Sequence, residues 1–66
     1  MIKVIEQYVI EGYAILKINK TKPESNFTKY IIKNQVYEAV YTHNFPDDMI
    51  AVQSVENFVG EEIKFI

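Results

Sequence analysis

The densest grouping of metal-binding residue types in the chain is His43, Asp47 and Asp48. An imidazole and two carboxylates so close together suit a divalent cation. The two aspartates also follow Pro46 directly, where they serve as ordinary turn residues that hydrogen-bond their own backbone. The sequence favours that reading, and neither a metal nor a cofactor is expected. His43 is the single histidine, and there is no cysteine to pair with it. No hydroxyl residue stands in a nucleophile motif. Glu61 and Glu62 are adjacent, so on a strand they point to opposite faces and do not form a catalytic carboxylate pair. Two isolated glycines make no phosphate-binding loop. A chain of 66 residues rarely builds a water-excluding pocket, and no catalytic residue and no small-molecule substrate is expected.

The five tyrosines, Tyr8, Tyr13, Tyr30, Tyr37 and Tyr41, are a better lead. Aromatic rings on the outside of a small β domain can stack bases, and nearby lysines can meet phosphates. The candidate set is Tyr30, Tyr37, Tyr41, Lys29 and Lys33. The competing reading is that tyrosines fill a half-buried sheet face and leave their hydroxyls at the rim. A formal charge of −2 and a sequence without arginine weigh against nucleic acid, because arginine is the preferred bidentate partner of phosphate. A tyrosine-rich face suits a protein partner or a second copy of the chain. Single-stranded nucleic-acid binding is the alternative.

The candidate residues lie in the stretch Tyr30 to Ser54, which must position them. Tyr30-Ile31-Ile32, Val36 to Tyr41 and Met49 to Val52 are rich in β-branched and aromatic residues that suit a pleated surface. Asn34 tolerates a left-handed backbone and predicts a hairpin between the first two runs. Pro46, with Asp47 and Asp48, predicts a turn before the third. The expectation is an antiparallel meander.

Upstream, residues 2–10 fit both a strand and a helical stripe, and their β-branched content favours strand. Ile2, Val4, Tyr8 and Ile10 alternate. Gly12 allows a bend, a bulge or a hairpin turn. Residues 13–18 form the next strand, with Ala14, Leu16 and Ile18 on one face. Residues 19–26, NKTKPESN, read as an exposed, mobile loop. Residues 27–32 alternate, and the sequence leaves open which side faces inward. Ser54 is a candidate N-cap and Gly60 a candidate terminator of a short helical turn that aims Phe58 at the core. Residues 61–66 close the chain as a paired strand with Ile63 and Phe65 on one face.

Apolar residues make up 48% of the chain, too many for a disordered segment. The length implies one domain, residues 1–66, burying only about 60% of its unfolded surface, so self-association is a reasonable source of extra burial. The lack of cysteine excludes a disulfide scaffold and a thiolate-bound zinc. No apolar run approaches the ~20 residues that span a bilayer, and Glu6 and Glu11 spoil a signal-peptide core. The chain is therefore expected to start at Met1 and to be cytoplasmic, with its two N-x-T sequons unused. Charge is uneven. Residues 1–33 carry six lysines against three glutamates, and residues 34–66 one lysine against six acids, which suits solvated loops or a dipolar docking molecule.

Five or six short strands in so small a chain should curl into a barrel, which removes edges. A meander, a short helical turn with an aromatic, Asn57-Phe58-Val59, and a last strand resemble SH3-like barrels. The loop acids and the tryptophan of peptide-binding SH3 domains are lacking, so that activity does not carry over. Tyr37, Val40-Tyr41, Pro46, Ile50-Ala51-Val52 and Phe58 to Phe65 also resemble a pattern in short uncharacterised proteins of Gram-positive bacteria. That resemblance implies a fold and a bacterial cytoplasmic setting. The overall expectation is an all-β, small antiparallel five- to six-stranded barrel, SH3-like, with one short helical turn before the last strand. Its expected role is that of a non-catalytic interaction module binding protein or itself through a strand edge or a tyrosine face.

Overall fold

The computed structural model describes residues 1–23, 26–39 and 44–66. Tyr41 and His43 fall outside the described residues. The chain is all-β, with strands β1 (Val4–Ile10), β2 (Tyr13–Ile18), β3 (Lys29–Ile32), β4 (Gln35–Glu38), β5 (Met49–Val52) and β6 (Ile63–Phe65).

Two hairpins are set by local chemistry. Ile10 pairs with Tyr13 across Glu11-Gly12, whose φ angles are 48° and 85°. Ile32 pairs with Gln35 across Lys33-Asn34, at 55° and 63°. Two consecutive left-handed residues define the tight turn whose twist matches that of its flanking strands. Asn34 and Gly12 act as expected.

The strands pair into two antiparallel three-stranded sheets, ordered β1-β2-β5 and β4-β3-β6, and not into the expected closed barrel. The expected meander is also corrected. β3 and β4 form a hairpin, but β5 leaves them and pairs with β2, placing Leu16 opposite Ile50 and Ala14 opposite Val52. The cause is apolar matching: β2 buries Ala14, Leu16 and Ile18, and β5 supplies buried Ile50 and Val52 on the same face. The sheets meet at one isolated bridge, Lys3 to Glu62, flanked by Val4 N–H to the Glu61 carbonyl at 3.0 Å and Gly60 N–H to the Val4 carbonyl at 2.8 Å.

Between the sheets lies one core. Val4, Leu16, Ile18, Ile50 and Val52 come from the first sheet, Tyr30, Ile32 and Ile63 from the second, and Phe27 and Phe58 from connecting segments. The Phe65 ring packs edge-on against Tyr30 at 5.3 Å and against Phe27 at 4.9 Å, a favoured aromatic geometry. Tyr30 and Ile32 therefore face inward and Lys29 outward.

The expected helical turn before the last strand is absent. Ser54 Oγ accepts from the Glu56 N–H at 3.2 Å, and Asn57 Oδ1 from the Val59 N–H at 3.1 Å. These short side-chain-to-backbone bonds offer the chain a turn in place of a helix. Glu61 N–H closes on the Phe58 carbonyl at 3.0 Å, with Gly60 at φ 89°. Phe58 nonetheless reaches the core, fully buried. The loop after β2 is exposed at residues 19–21 and 26 as expected, residues 24 and 25 lie outside the described residues, and two of its residues are tied to neighbouring segments. Asn19 Oδ1 accepts from the Lys3 N–H at 3.0 Å, and Lys22 N–H donates to the Asp47 carbonyl at 2.7 Å.

Candidate functional site

Among the described residues, those singled out from the sequence do not form one surface. Tyr30 is 0% exposed; it cannot stack on a base unless the core opens. Tyr37, opposite Tyr30 on β4, is half-buried, with its ring edge-on to Phe58 at 5.5 Å. Its hydroxyl lies 3.2 Å from both Glu56 Oε2 and Gln35 Oε1. Burial, then the Glu56 hydrogen bond and charge, hold the Tyr37 phenol above its ordinary pKa. Lys29 is exposed and faces Glu38 across the strand pair. The Lys33 ammonium sits 5.8 Å from the centre of the Phe58 ring, within cation–π range. An open cleft of about 460 Å³ beside that hairpin is lined by Lys33 and Lys64, but also by Glu61 and Glu62. Acids beside Tyr37 and within that cleft oppose a phosphate backbone.

The apolar surface lies instead on the first sheet. The β1 register shifts between Val4 and Glu6, where Val4 faces Ile18 but Glu6 faces Lys17. One extra residue on one strand is a β-bulge, and it reverses the alternation beyond it. Val4 points into the core, while Tyr8, level with Ile15, and Ile10, level with Tyr13, lie on the outer face. Tyr8 and Ile10 are 51% and 58% exposed. Ile5, at the bulge, and Val9 are 46% and 54% exposed.

The outer face continues inward across the sheet. Tyr8, Ile15 and Ala51 form one cross-strand row. A shallow groove of about 350 Å³ runs beside it, lined mainly by Ile10, Tyr13, Ile15, Phe45 and Ala51. The Tyr8 hydroxyl donates to Glu6 Oε2 at 2.7 Å. That bond, reinforced by the carboxylate charge, raises the Tyr8 pKa.

β1 is also an edge strand. Among the described residues its far side is taken by backbone only at Val4, by Gly60 and Glu61, and no backbone hydrogen bond reaches Glu6 to Ile10 from outside the sheet. The strand carries neither lysine nor proline, the residues that usually blunt an open edge. Sequence reasoning missed this surface because it phased Tyr8 and Ile10 with Val4. No residue type announces the bulge.

Among the described residues no group of three acidic or histidine side chains could hold a metal ion. No described helix is long and apolar enough to cross a membrane. Comparison with protein-family models, curated proteins and solved structures gave no match.

Proposed function

We propose that this chain is a non-catalytic interaction module, and that its contact surface is the β1 edge with the adjoining outer face of the first sheet. One observation carries the reading. Four apolar side chains, Ile5, Tyr8, Val9 and Ile10, are about half exposed on a strand whose outer backbone is unpaired from Glu6 to Ile10 among the described residues. Large side chains scattered singly on a surface are ordinary, but three consecutive ones, Tyr8, Val9 and Ile10, lining both faces of an open edge mark a binding site. An edge strand binds by adding a strand, with main-chain hydrogen bonds for affinity and alternate side chains for specificity. The Lys3–Glu62 bridge between the sheets supports reading the fold as a small, partly open, SH3-like barrel, with β1 beside the opening.

A photo-reactive amino acid at Tyr8 tests the surface against one at Val36, which is 57% exposed on the other sheet. Discrete adducts are expected from position 8 and not from position 36. Equal or absent labelling at the two positions would remove the reading.

A further inference from the structure

We infer that the β1 edge is occupied by the β1 edge of a second copy of the chain, antiparallel across a twofold axis at Tyr8. The inference rests on the interaction-module reading and names its partner.

Three observations lead there. The first is self-complementarity: an antiparallel pair about a twofold needs the same free edge from each copy, and among the described residues the free stretch runs from Glu6 to Ile10. The second is register. Opposed residues of antiparallel neighbours share a face, so Glu6, Tyr8 and Ile10 must meet outer-face residues. Centring on Tyr8 sets Glu6 against Ile10 and keeps the two Glu6 carboxylates roughly 13 Å apart along the strand. Centring on Glu6 would oppose like charges and run into Val4, whose edge is taken by Gly60 and Glu61. Centring on Ile10 would run into the Glu11-Gly12 turn.

The third observation is area. The exposed parts of Ile5, Tyr8, Val9 and Ile10 amount to roughly 400 Å² per copy. Two copies with their paired backbones approach the lower end, about 1,200 Å², of stable interfaces. A dimer of that size is weak, with dissociation in the micromolar range or above. The product is a six-stranded sheet, β5-β2-β1 continued by its symmetry mate, with both outer grooves on one face.

Sedimentation equilibrium from micromolar to millimolar chain tests this, with hydrogen exchange at both limits of the Gln7 and Val9 amides, the ones that alternation turns away from β2. The mass is expected to double across the series, and exchange of those amides to slow at least tenfold at the high end. Tyr8→Lys and Tyr8→Glu each place like charges at the axis and are expected to remain monomeric. An equimolar mixture of the two is expected to form the heterodimer. A wild-type chain that stays monomeric at millimolar concentration, with unchanged exchange, overturns the inference. So does a variant that dimerises like wild type, or a folded pair whose mixture stays monomeric. If the wild-type chain is monomeric yet position 8 still labels other proteins, the second copy falls and the interaction surface stands. If position 8 labels nothing, both fall.

Discussion

The Gln7 carboxamide accepts a hydrogen bond from the Phe58 N–H at 2.7 Å and donates one to the Glu56 carbonyl at 2.6 Å. One side chain thereby takes the place of a strand partner for a segment with no ladder of its own. It also fixes where Phe58, fully buried, enters the core. Gln7 is free to do this because the bulge after Val4 turns it inward, level with Leu16.

Gln7→Leu keeps the size of the side chain and removes both bonds. The Phe58 N–H is part-buried, so losing its acceptor should cost about 1–3 kcal/mol. In a domain of this length that lowers the thermal midpoint by roughly 7–20 °C. Gln7→Glu keeps an acceptor for Phe58 but sets a carboxylate against the Glu56 carbonyl, so it should fall between wild type and Gln7→Leu. Thermal and urea melts order the three. Equal stability for all three would show that the bridge contributes nothing.

The two turn residues of the β1–β2 hairpin give predictions of opposite sign. Glu11 holds φ 48° without being Gly, Asn or Asp. Glu11→Asn should stabilise by about 0.5–1 kcal/mol, because Asn tolerates the left-handed region. Gly12→Ala should destabilise by roughly 1–2 kcal/mol. A Cβ at Gly12 meets nothing within 4 Å, so that cost lies wholly in the backbone at φ 85°. Urea midpoints measure both. A neutral Gly12→Ala would mean that the turn relaxes to another type.

Local chemistry was legible in the sequence and long-range pairing was not. Asn34 and Gly12 announced their turns because a left-handed residue is a property of one position. Ala14, Leu16 and Ile18 share a buried face as their spacing implied, and Phe58 reaches the core. The partner of β5 was not legible, since Met49–Val52 is equally suited to β4 and β2, and contacts distant in sequence decide between them. Ser54 has the residue type of an N-cap, but its hydroxyl closes a two-residue turn instead. The tyrosines divided for a similar reason. Tyr30 sits beside Phe27 and Phe65 and went to the core, while Tyr8 was carried outward by a bulge that no residue type signals.

Two phenols make the fold sensitive to alkali. Tyr8 and Tyr37 both have pKa values raised from 10.0, so the folded chain holds their protons more tightly than the unfolded chain. Above pH 10 and up to the raised values the folded state binds more protons, and stability falls as pH rises. Below pH 10 the contribution is fully present. Tyr8 is half exposed and Tyr37 only half-buried, and solvent screening keeps the effect small. Urea midpoints from pH 8 to 11 should decline, and Tyr37→Phe should decline less steeply. A Tyr37→Phe curve parallel to wild type would remove Tyr37 from the account.

Burial of Tyr30 and the acids around Tyr37 bear directly on the nucleic-acid alternative. Stacking supplies roughly 1–3 kcal/mol per base in single-strand binders, and here the central ring of the candidate set is sealed in the core. Lys29 and Lys33 remain exposed, but Lys29 faces Glu38 and Lys33 lines a cleft with Glu61 and Glu62. With Tyr30 out of reach of a base, Lys29 and Lys33 supply only weak, salt-sensitive attraction. The anisotropy of labelled single-stranded DNA and RNA should therefore stay flat up to about 100 μM chain at low salt, a range that covers weak non-specific binding. A rise that Lys29→Ala with Lys33→Ala abolishes, and Tyr8→Lys leaves intact, would move the binding surface from β1 to the β3–β4 hairpin.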